Sequence, residues 1–157
     1  MHIYFLRHGD ALGGFPDEAR PLSDRGRHDL LALGKFLKKA GIRFDVACSS
    51  PLLRAQQSAG ILLETCGQAD LKTNDMLLNE TPQEDFDHWL RGLKKTNHLL
   101  LVGHAPTMAV RARKLLGMED PEALALPTSG MACVETPDGR QARLVFFITP
   151  ATLAGQH

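Results

Sequence analysis

The first regular segment of the chain is Ile3-Tyr4-Phe5-Leu6-Arg7-His8-Gly9, an apolar run that ends in a basic pair and a glycine. A short apolar run bounded in this way predicts a buried strand. Ligands of open α/β sheets bind where such strands end. Because Gly9 has no Cβ, the backbone can turn sharply there or come close to a ligand. We therefore predict that Arg7 and His8 lie at the mouth of a binding site.

Strand and helix patterns alternate along the rest of the chain. Apolar residues at helical spacing predict helices over 24–40, 51–65, 83–94 and 107–116. Apolar runs predict strands over 44–49, 69–73 and 98–102, and a hairpin of strands over 131–135 and 143–149 follows. This order predicts an α/β fold: a three-layer αβα sandwich with a mainly parallel central sheet and an antiparallel strand near the C-terminus.

Capping residues indicate where the first two helices begin and end. Ser23 is typical of an N-cap, and Ser50 with Pro51 predicts the N-cap and first residue of the second helix. Gly67 is expected to end that helix.

The segment over 10–21 is rich in glycine, proline and charge. Since it leaves the end of the first strand, we expect a loop that borders the site.

Composition limits the classes of function. The 157 residues contain no linker or repeat, which predicts one domain over 1–157. A formal net charge of zero argues against nucleic-acid and membrane-surface partners, and no apolar run is long enough to span a bilayer. The chain starts with a strand rather than a leader, so we expect a cytoplasmic protein. Three scattered cysteines argue against a disulfide framework and a zinc site: Cys48, Cys66 and Cys133.

Basic side chains follow three of the predicted strands. Arg7 and His8 follow the first, Arg54 lies in the first turn of the helix after the second, and His104 follows the leucine-rich strand. The carboxyl ends of parallel strands share one edge, so these groups can converge. Arginine offers a planar fork to two phosphoryl oxygens, and a helix N-terminus favours an anion near Arg54. Each residue alone is more typical of a turn or a surface, but together they predict a phosphoryl site.

His8 is the candidate nucleophile. A neutral imidazole can attack phosphorus in line and form a phosphohistidine enzyme, which water then hydrolyses. Arg7, Arg54 and His104 would stabilise charge on the equatorial oxygens, so no metal or cofactor is predicted. His8 must stay neutral beside two arginines, whereas His104 is free to carry a charge. A hydrogen bond from the other ring nitrogen of His8 to a backbone carbonyl would orient the ring.

A general acid for the leaving group is the remaining component. Glu80, just before the turn at Thr81-Pro82, is the candidate, and Asp10 and Asp17 are the alternatives. A phosphohistidine substrate depends on this acid less than an alkyl phosphate does, because its imidazole can leave as a neutral ring.

A second phosphatase chemistry competes with this interpretation. Cys48 and Arg54 have the Cys-x5-Arg spacing of cysteine-dependent phosphatases. That loop directs successive backbone N–H groups at phosphate, but Pro51 removes one of them and no glycine is present to form a tight cradle. We therefore favour His8 as the nucleophile. The other histidines lack such a context and are expected at the surface or at strand edges: His2, His28, His88, His98 and His157.

Three sequence elements carry a resemblance to a known family. Leu6-Arg7-His8-Gly9-Asp10-Ala11 resembles the Arg-His-Gly signature of the histidine phosphatase superfamily, which includes the phosphoglycerate mutases. The segment over 49–59 is similar to its Ser-Pro-x-x-Arg-Ala-x-Gln-Thr/Ser element, and Gly103-His104 resembles its second histidine motif. By this resemblance His8 is the nucleophile, and the phosphate pocket consists of Arg7, Arg54 and His104.

The short chain and Arg20-Pro21-Leu22-Ser23 resemble the SixA-type branch of small phosphohistidine phosphatases. This implies a partner that carries phosphohistidine, such as a histidine-containing phosphotransfer domain or a phosphotransferase-system component. It also implies that Arg20 borders the pocket and contacts the substrate. Leu78-Asn79-Glu80 resembles the segment that carries the acid in mutase-like members. A monomer is expected.

Two classes of function remain open. The first is an enzyme that hydrolyses phosphohistidine or a small phosphate ester. The second is a regulatory module that binds phosphate without turnover, although such a module would not need His8. The mutase interpretation is weaker, because the interval before the leucine-rich strand leaves little room for the insertions that enclose a bisphosphate. That short interval favours an open site.

Overall fold

The computed structural model describes residues 1–66, 69–93 and 95–155. Three expectations lie outside the described residues: Gly67 as the end of the second helix, Lys94 as the end of the third, and His157 as a surface residue. Among the described helices, none is both long and apolar enough to cross a bilayer.

Six strands in the described part of the chain form one sheet. In chain order they are β1 (His2–Arg7), β2 (Val46–Ser49), β3 (Leu71–Thr73), β4 (His98–Gly103), β5 (Met131–Glu135) and β6 (Arg143–Ile148). The order across the sheet is β3-β2-β4-β1-β5-β6. The first four strands pair in parallel, whereas β5 runs antiparallel to both β1 and β6. This confirms the predicted sheet.

Helices cover both faces of this sheet. They are α1 (Asp24–Lys39), α2 (Leu53–Cys66), α3 (Gln83–Arg91), α4 (Thr107–Leu116) and α5 (Pro150–Leu153), with short 3-10 helices over Asp17–Ala19 and Asp75–Leu77. Side chains of α1 and α2 form one apolar core, and side chains of α3 and α4 form a second core. The three-layer αβα arrangement is therefore confirmed.

The strand β1 contributes to both cores. Tyr4 and Leu6 point into the core under α1 and α2, while Ile3 and Phe5 point into the core under α3 and α4. All four are buried, because successive side chains of a strand point to opposite faces and both faces are covered. A fully buried large apolar side chain contributes roughly 1.5–3 kcal/mol. This burial anchors the strand that ends at Arg7.

Two helix boundaries and one additional helix differ from the sequence-based expectation. The second helix begins at Leu53 instead of residue 51, because Ser50 and Pro51 stay outside it and Ser50 bonds to His104. The third helix ends at Arg91, with Gly92 as its C-cap, rather than near residue 94. The helix α5 was not predicted, and it begins where the Thr149 side chain accepts a hydrogen bond from the Thr152 N–H.

Candidate active site

The carboxyl ends of β1 and β4 bring the two candidate histidines together. Arg7 lies opposite Gly103 in the parallel register of these strands, so His8 and His104 follow side by side. Their ring centroids are 5.0 Å apart. Arg54, in the first turn of α2, completes the group, and all four side chains line one cavity of about 190 Å³. We call Arg7, His8, Arg54 and His104 the floor of the site.

The ring of His8 is held in one tautomer. Its Nδ1 lies 2.7 Å from the carbonyl oxygen of Gly9, and a carbonyl can only accept, so Nδ1 carries the proton. Burial, opposed by that hydrogen bond and assisted by Arg54 and Arg7, lowers the pKa of His8 to about 4. His8 is therefore neutral at neutral pH, and its Nε2 presents a lone pair.

Arg54 connects the nucleophile to the loop over 10–21. Its Nε donates to Nε2 of His8 at 3.4 Å. Its two terminal nitrogens donate to the backbone oxygen and to the Oδ2 atom of Asp17, at 2.9 and 3.2 Å. The Arg54 side chain is buried, so its charge is less screened by water and interacts more strongly with groups in the cavity.

His104 is neutral as well, which corrects the expectation that it is free to carry a charge. Burial is the first cause that lowers its pKa, to about 4, and the nearby His8 and Arg54 contribute. Its Nε2 forms a hydrogen bond of 2.6 Å with Oγ of Ser50, and the same oxygen accepts a hydrogen bond from the Leu52 N–H. The ring is therefore positioned by the turn between β2 and α2.

Arg7 has one terminal nitrogen bonded to the carbonyl oxygen of Leu126, at 3.2 Å. Its Nε is buried and has no partner among the described residues. Burial lowers the pKa of this guanidinium from its ordinary value, but an arginine keeps its charge at neutral pH.

Glu80 and Asp17 lie at the entrance of the cavity, and together with Arg20, which pairs with Asp17, we call them the rim. Glu80 and Asp17 both line the cavity and are exposed. Arg20 was expected to contact the substrate, but the described cavity wall does not include it. Its guanidinium donates to the Leu12 carbonyl oxygen at 2.8 Å and to Oδ1 of Asp17 at 2.9 Å. Arg20 therefore contributes to the rim by holding Asp17 rather than by lining the cavity.

The two alternative acids have other partners. The Asp10 carboxylate accepts a hydrogen bond from the Ser23 hydroxyl at 2.6 Å, and the described cavity wall does not include Asp10. Hydrogen bonds from Arg20 and Arg54 lower the pKa of Asp17, which makes its carboxyl a poor proton donor at neutral pH. Of the three candidate acids, Glu80 is the one that lines the cavity and whose carboxylate has no hydrogen bond or ion pair among the described contacts.

The loop at Gly9 is held by residues that the motifs did not single out as functional. The Gly9 N–H donates to Oγ of Ser58 at 3.0 Å, and that hydroxyl donates to the Arg54 carbonyl oxygen at 2.6 Å. A Cβ on Gly9 would lie 2.8 Å from Leu30, so the close approach at this glycine is to the protein itself. A Cβ on Gly26 would lie 2.2 Å from the Asp10 carbonyl oxygen. Local motifs do not reveal such contacts between distant segments.

Arg111 positions the segment that carries Glu80. It is buried, and its terminal nitrogens donate to the carbonyl oxygens of Met76, Leu78 and Thr81. Its guanidinium carbon lies 4.2 Å from the centre of the Phe86 ring, a cation–π contact. The sequence gives no local sign of this role, because a lysine- and arginine-containing helix is typical of a solvated surface.

Cys48 does not belong to the site. Burial raises the pKa of its thiol, and the described cavity wall does not include it. This agrees with the choice of His8 over Cys48 as nucleophile. Within the described ranges, no three His, Cys, Asp or Glu side chains are grouped as metal ligands would be.

Larger cavities lie elsewhere but lack this chemistry. Two of them, of about 440 and 430 Å³, share Met1 in their walls and therefore lie near the opposite ends of the strands. Their described walls contain no histidine. Size alone does not identify a site that must stabilise a small dianion, whereas convergent basic groups do.

Comparisons with known proteins find relatives over part of the chain and a shared fold over nearly all of it. The model of the histidine phosphatase superfamily (branch 1) matches residues 3–82, just over half of the chain. A 2,3-bisphosphoglycerate-dependent phosphoglycerate mutase of Allorhizobium ampelinum is 45% identical over 75 residues, which are 47% of this chain and 34% of that enzyme. The chain therefore spans about a third of the length of this relative.

Solved structures show the same fold over nearly the whole chain. The protein histidine phosphatase SixA complexed with tungstate superposes with a TM-score of 0.88 at 22% identity, covering 98% of this chain and 99% of that one. The alpha-ribazole phosphatase from Shigella flexneri superposes with a TM-score of 0.79 at 18% identity, covering 96% and 97%. At these identities the likeness concerns the fold.

Proposed function

This chain belongs to the histidine phosphatase superfamily, and from that membership we propose that it is a phosphatase with His8 as nucleophile. The observation that carries the proposal is the tautomer of His8. With the proton on Nδ1 hydrogen-bonded to the Gly9 carbonyl oxygen, Nε2 keeps its electron pair, which accepts only a long hydrogen bond of 3.4 Å from Nε of Arg54. A neutral, oriented imidazole next to a fixed guanidinium meets the requirements for attack on phosphorus.

The reaction takes place in two displacements. In the first, the Nε2 electron pair of His8 forms a bond to phosphorus as the bond from phosphorus to the leaving group breaks. His8 then carries the phosphoryl group on Nε2 and a proton on Nδ1. The Gly9 carbonyl oxygen accepts a hydrogen bond from that proton and so stabilises the imidazolium charge. In the second, water attacks phosphorus, the electron pair of the Nε2–P bond returns to Nε2, and the phosphoryl group leaves as dihydrogen phosphate with the oxygen and both protons of the water.

The remaining residues of the floor stabilise the charge on the transferred group. Arg7 and Arg54, whose side chains both line the cavity, supply fixed positive charge. The neutral His104 supplies a ring nitrogen that can donate once the dianion raises its pKa. These groups are oriented before the reaction, so they stabilise the transition state without much reorganisation.

Glu80 is the proposed acid. It lines the cavity and is exposed, so it can exchange protons with water. Arg111 holds the backbone on both sides of it through Leu78 and Thr81. An alkoxide leaving group needs the proton from Glu80, whereas an imidazole leaving group needs it less.

The proposed substrate is phosphohistidine on a protein. Support comes from the exposed rim, from the small cavity of about 190 Å³, and from the likeness of fold to a protein histidine phosphatase. A phosphoryl group and its ring can enter such a site while the rest of a protein stays outside. A small phosphate ester is the second candidate, favoured by the alpha-ribazole phosphatase fold.

The test is phosphate release without added metal from a phosphohistidine protein and from an aryl phosphate. Wild type and His8→Ala are compared, with Cys48→Ala as the control for the other nucleophile. We expect rapid release from the protein substrate by wild type and Cys48→Ala, and a loss of roughly 10⁴-fold or more in His8→Ala.

Three other outcomes would change the proposal. Release from the aryl phosphate alone would keep the mechanism and assign a small ester. Loss of release in Cys48→Ala rather than in His8→Ala would overturn the choice of nucleophile. No release from either substrate by wild type would contradict the enzyme and favour a phosphate-binding module.

A further inference from the structure

Asp17 is an acidic residue in a site built for an anion. Its Oδ1 and Oδ2 atoms accept hydrogen bonds from Arg20 at 2.9 Å and from Arg54 at 3.2 Å. Its backbone oxygen accepts a third, from the other terminal nitrogen of Arg54, at 2.9 Å. One residue therefore engages both terminal nitrogens of a guanidinium that phosphate also needs.

The carboxylate of Asp17 is not confined to these ion pairs. Its side chain keeps 62% of its surface exposed while it lines the cavity, so it also faces whatever occupies the entrance. Its lowered pKa keeps it charged at neutral pH. Glu80, a second carboxylate, lines the same cavity.

The charges are therefore separated by depth. Buried guanidinium and imidazole groups surround the place of the phosphoryl group, and both carboxylates stand where the rest of the substrate must lie. Near the rim, the guanidinium groups of Arg20 and Arg54 are both paired with Asp17, and Glu80 adds a second carboxylate, which leaves little positive charge for a second anion. A leaving group that carries its own carboxylate or phosphate would meet like charge there.

We propose that Asp17 is a specificity-determining residue that favours substrates with neutral or cationic leaving groups over substrates with anionic ones. The inference rests on the proposed function and deepens it. The favoured class is the phosphoramidates, whose imidazole or amine leaves as a neutral or protonated nitrogen. The disfavoured class is the phosphate esters with a second anionic group.

The test compares two substrates that differ by one charge. para-Carboxyphenyl phosphate and para-carbamoylphenyl phosphate have nearly the same shape, and only the first has an anionic leaving portion. The ratio of their kcat/KM values is measured for wild type and for Asp17→Asn. Any loss of Arg54 orientation affects both substrates alike, so it cancels in the comparison of the two ratios.

We expect wild type to prefer the carbamoyl substrate and Asp17→Asn to reduce that preference by about threefold to tenfold, as expected for unit charges that interact through solvent. The difference should shrink as salt is added. Glu18→Gln is the matched control, since it removes the same charge one residue further along and Glu18 is not part of the described cavity wall. Asp17→Ser provides a second variant if the first folds poorly.

Two results would overturn the inference. An unchanged ratio in both Asp17 variants, with turnover retained, would show that the rim does not select by charge. An equal change in Glu18→Gln would assign the effect to the general surface field. Both results differ from failure of the proposed function, in which wild type would hydrolyse neither substrate nor a phosphohistidine protein.

Discussion

The floor and the rim of the site hold their polar groups by different means. On the floor, the buried His8 and His104 are each bonded to a backbone or serine oxygen, which orients their rings. At the rim, the exposed carboxylate of Asp17 is held by the guanidinium groups of Arg20 and Arg54. Burial fixes protonation states and makes charges act strongly, whereas an exposed ion pair contributes only about 0–1 kcal/mol. We therefore expect the floor residues to determine the rate of catalysis and the rim residues to modify the choice among substrates.

The largest expected contrast is between Arg54 and Arg20. Arg54→Lys should lower kcat/KM by about 10²- to 10³-fold, because a lysine cannot donate to His8 and Asp17 at once. Arg20→Lys should cost less than about fivefold, since Arg20 acts through an exposed ion pair. Steady-state kinetics on one substrate decide this. Equal losses in the two variants would remove the distinction between floor and rim.

A second test uses pH to separate the two regions. The pKa values of His8 and His104 are about 4 in the folded protein, against 6.5 ordinarily. As pH falls below about 6.5 the unfolded chain takes up these protons first, so the free energy of unfolding should decrease down to about pH 4, by on the order of a few kcal/mol.

Urea unfolding at a series of pH values measures this dependence. His8→Gln should lose about half of the decrease, because one of the two depressed pKa values is removed. Asp17→Asn should leave the decrease between about pH 6.5 and 4 in place and reduce only the loss of stability at lower pH, because a lowered carboxyl pKa stabilises the fold above the ordinary carboxyl pKa and that stabilisation is lost as pH falls below it. If the pH dependence of the free energy of unfolding were the same in His8→Gln as in wild type, burial would not be lowering the pKa of His8.

A third test disturbs the close contact between Gly26 of α1 and the backbone of Asp10, two residues after His8. Gly26→Ala should destabilise the protein by about 1–3 kcal/mol, because the new Cβ would overlap the Asp10 carbonyl oxygen and displace the loop. Gly60→Ala is the matched control, a helical glycine with open space around it, and should be neutral or stabilising by up to about 1 kcal/mol. Urea unfolding compares the two. If Gly26→Ala were as benign as Gly60→Ala, the close packing of α1 against Asp10 would be refuted.

The smallest expected effect concerns the acid. Glu80→Gln should lower kcat by about tenfold for an alkyl phosphate and by less than about threefold for phosphohistidine, because imidazole is the better leaving group. Single-turnover rates on the two substrates measure this difference. Equal losses on both would show that Glu80 acts through charge at the rim rather than as a proton donor.

Much of this arrangement followed from local patterns. The apolar run of β1 and the leucines of β4 predicted buried parallel strands, since only a strand covered on both faces tolerates such runs. Basic residues after those strands then had to share one edge of the sheet. Arg7, His8, Arg54 and His104 were predicted together for this reason, and they line one cavity.

Other features depend on contacts between segments far apart in the chain. Ser50 was expected only to cap a helix, yet it orients His104, and Arg111 holds the segment of Glu80 from a helix 30 residues away. Arg20 was expected to contact the substrate, but its guanidinium pairs with Asp17 and is not part of the described cavity wall. Sequence periodicity encodes which face of an element is buried, and for that reason it determined the fold and the floor. Side-chain partners across elements depend on packing in three dimensions, so only the folded chain decided the protonation of the histidines and the charge of the rim.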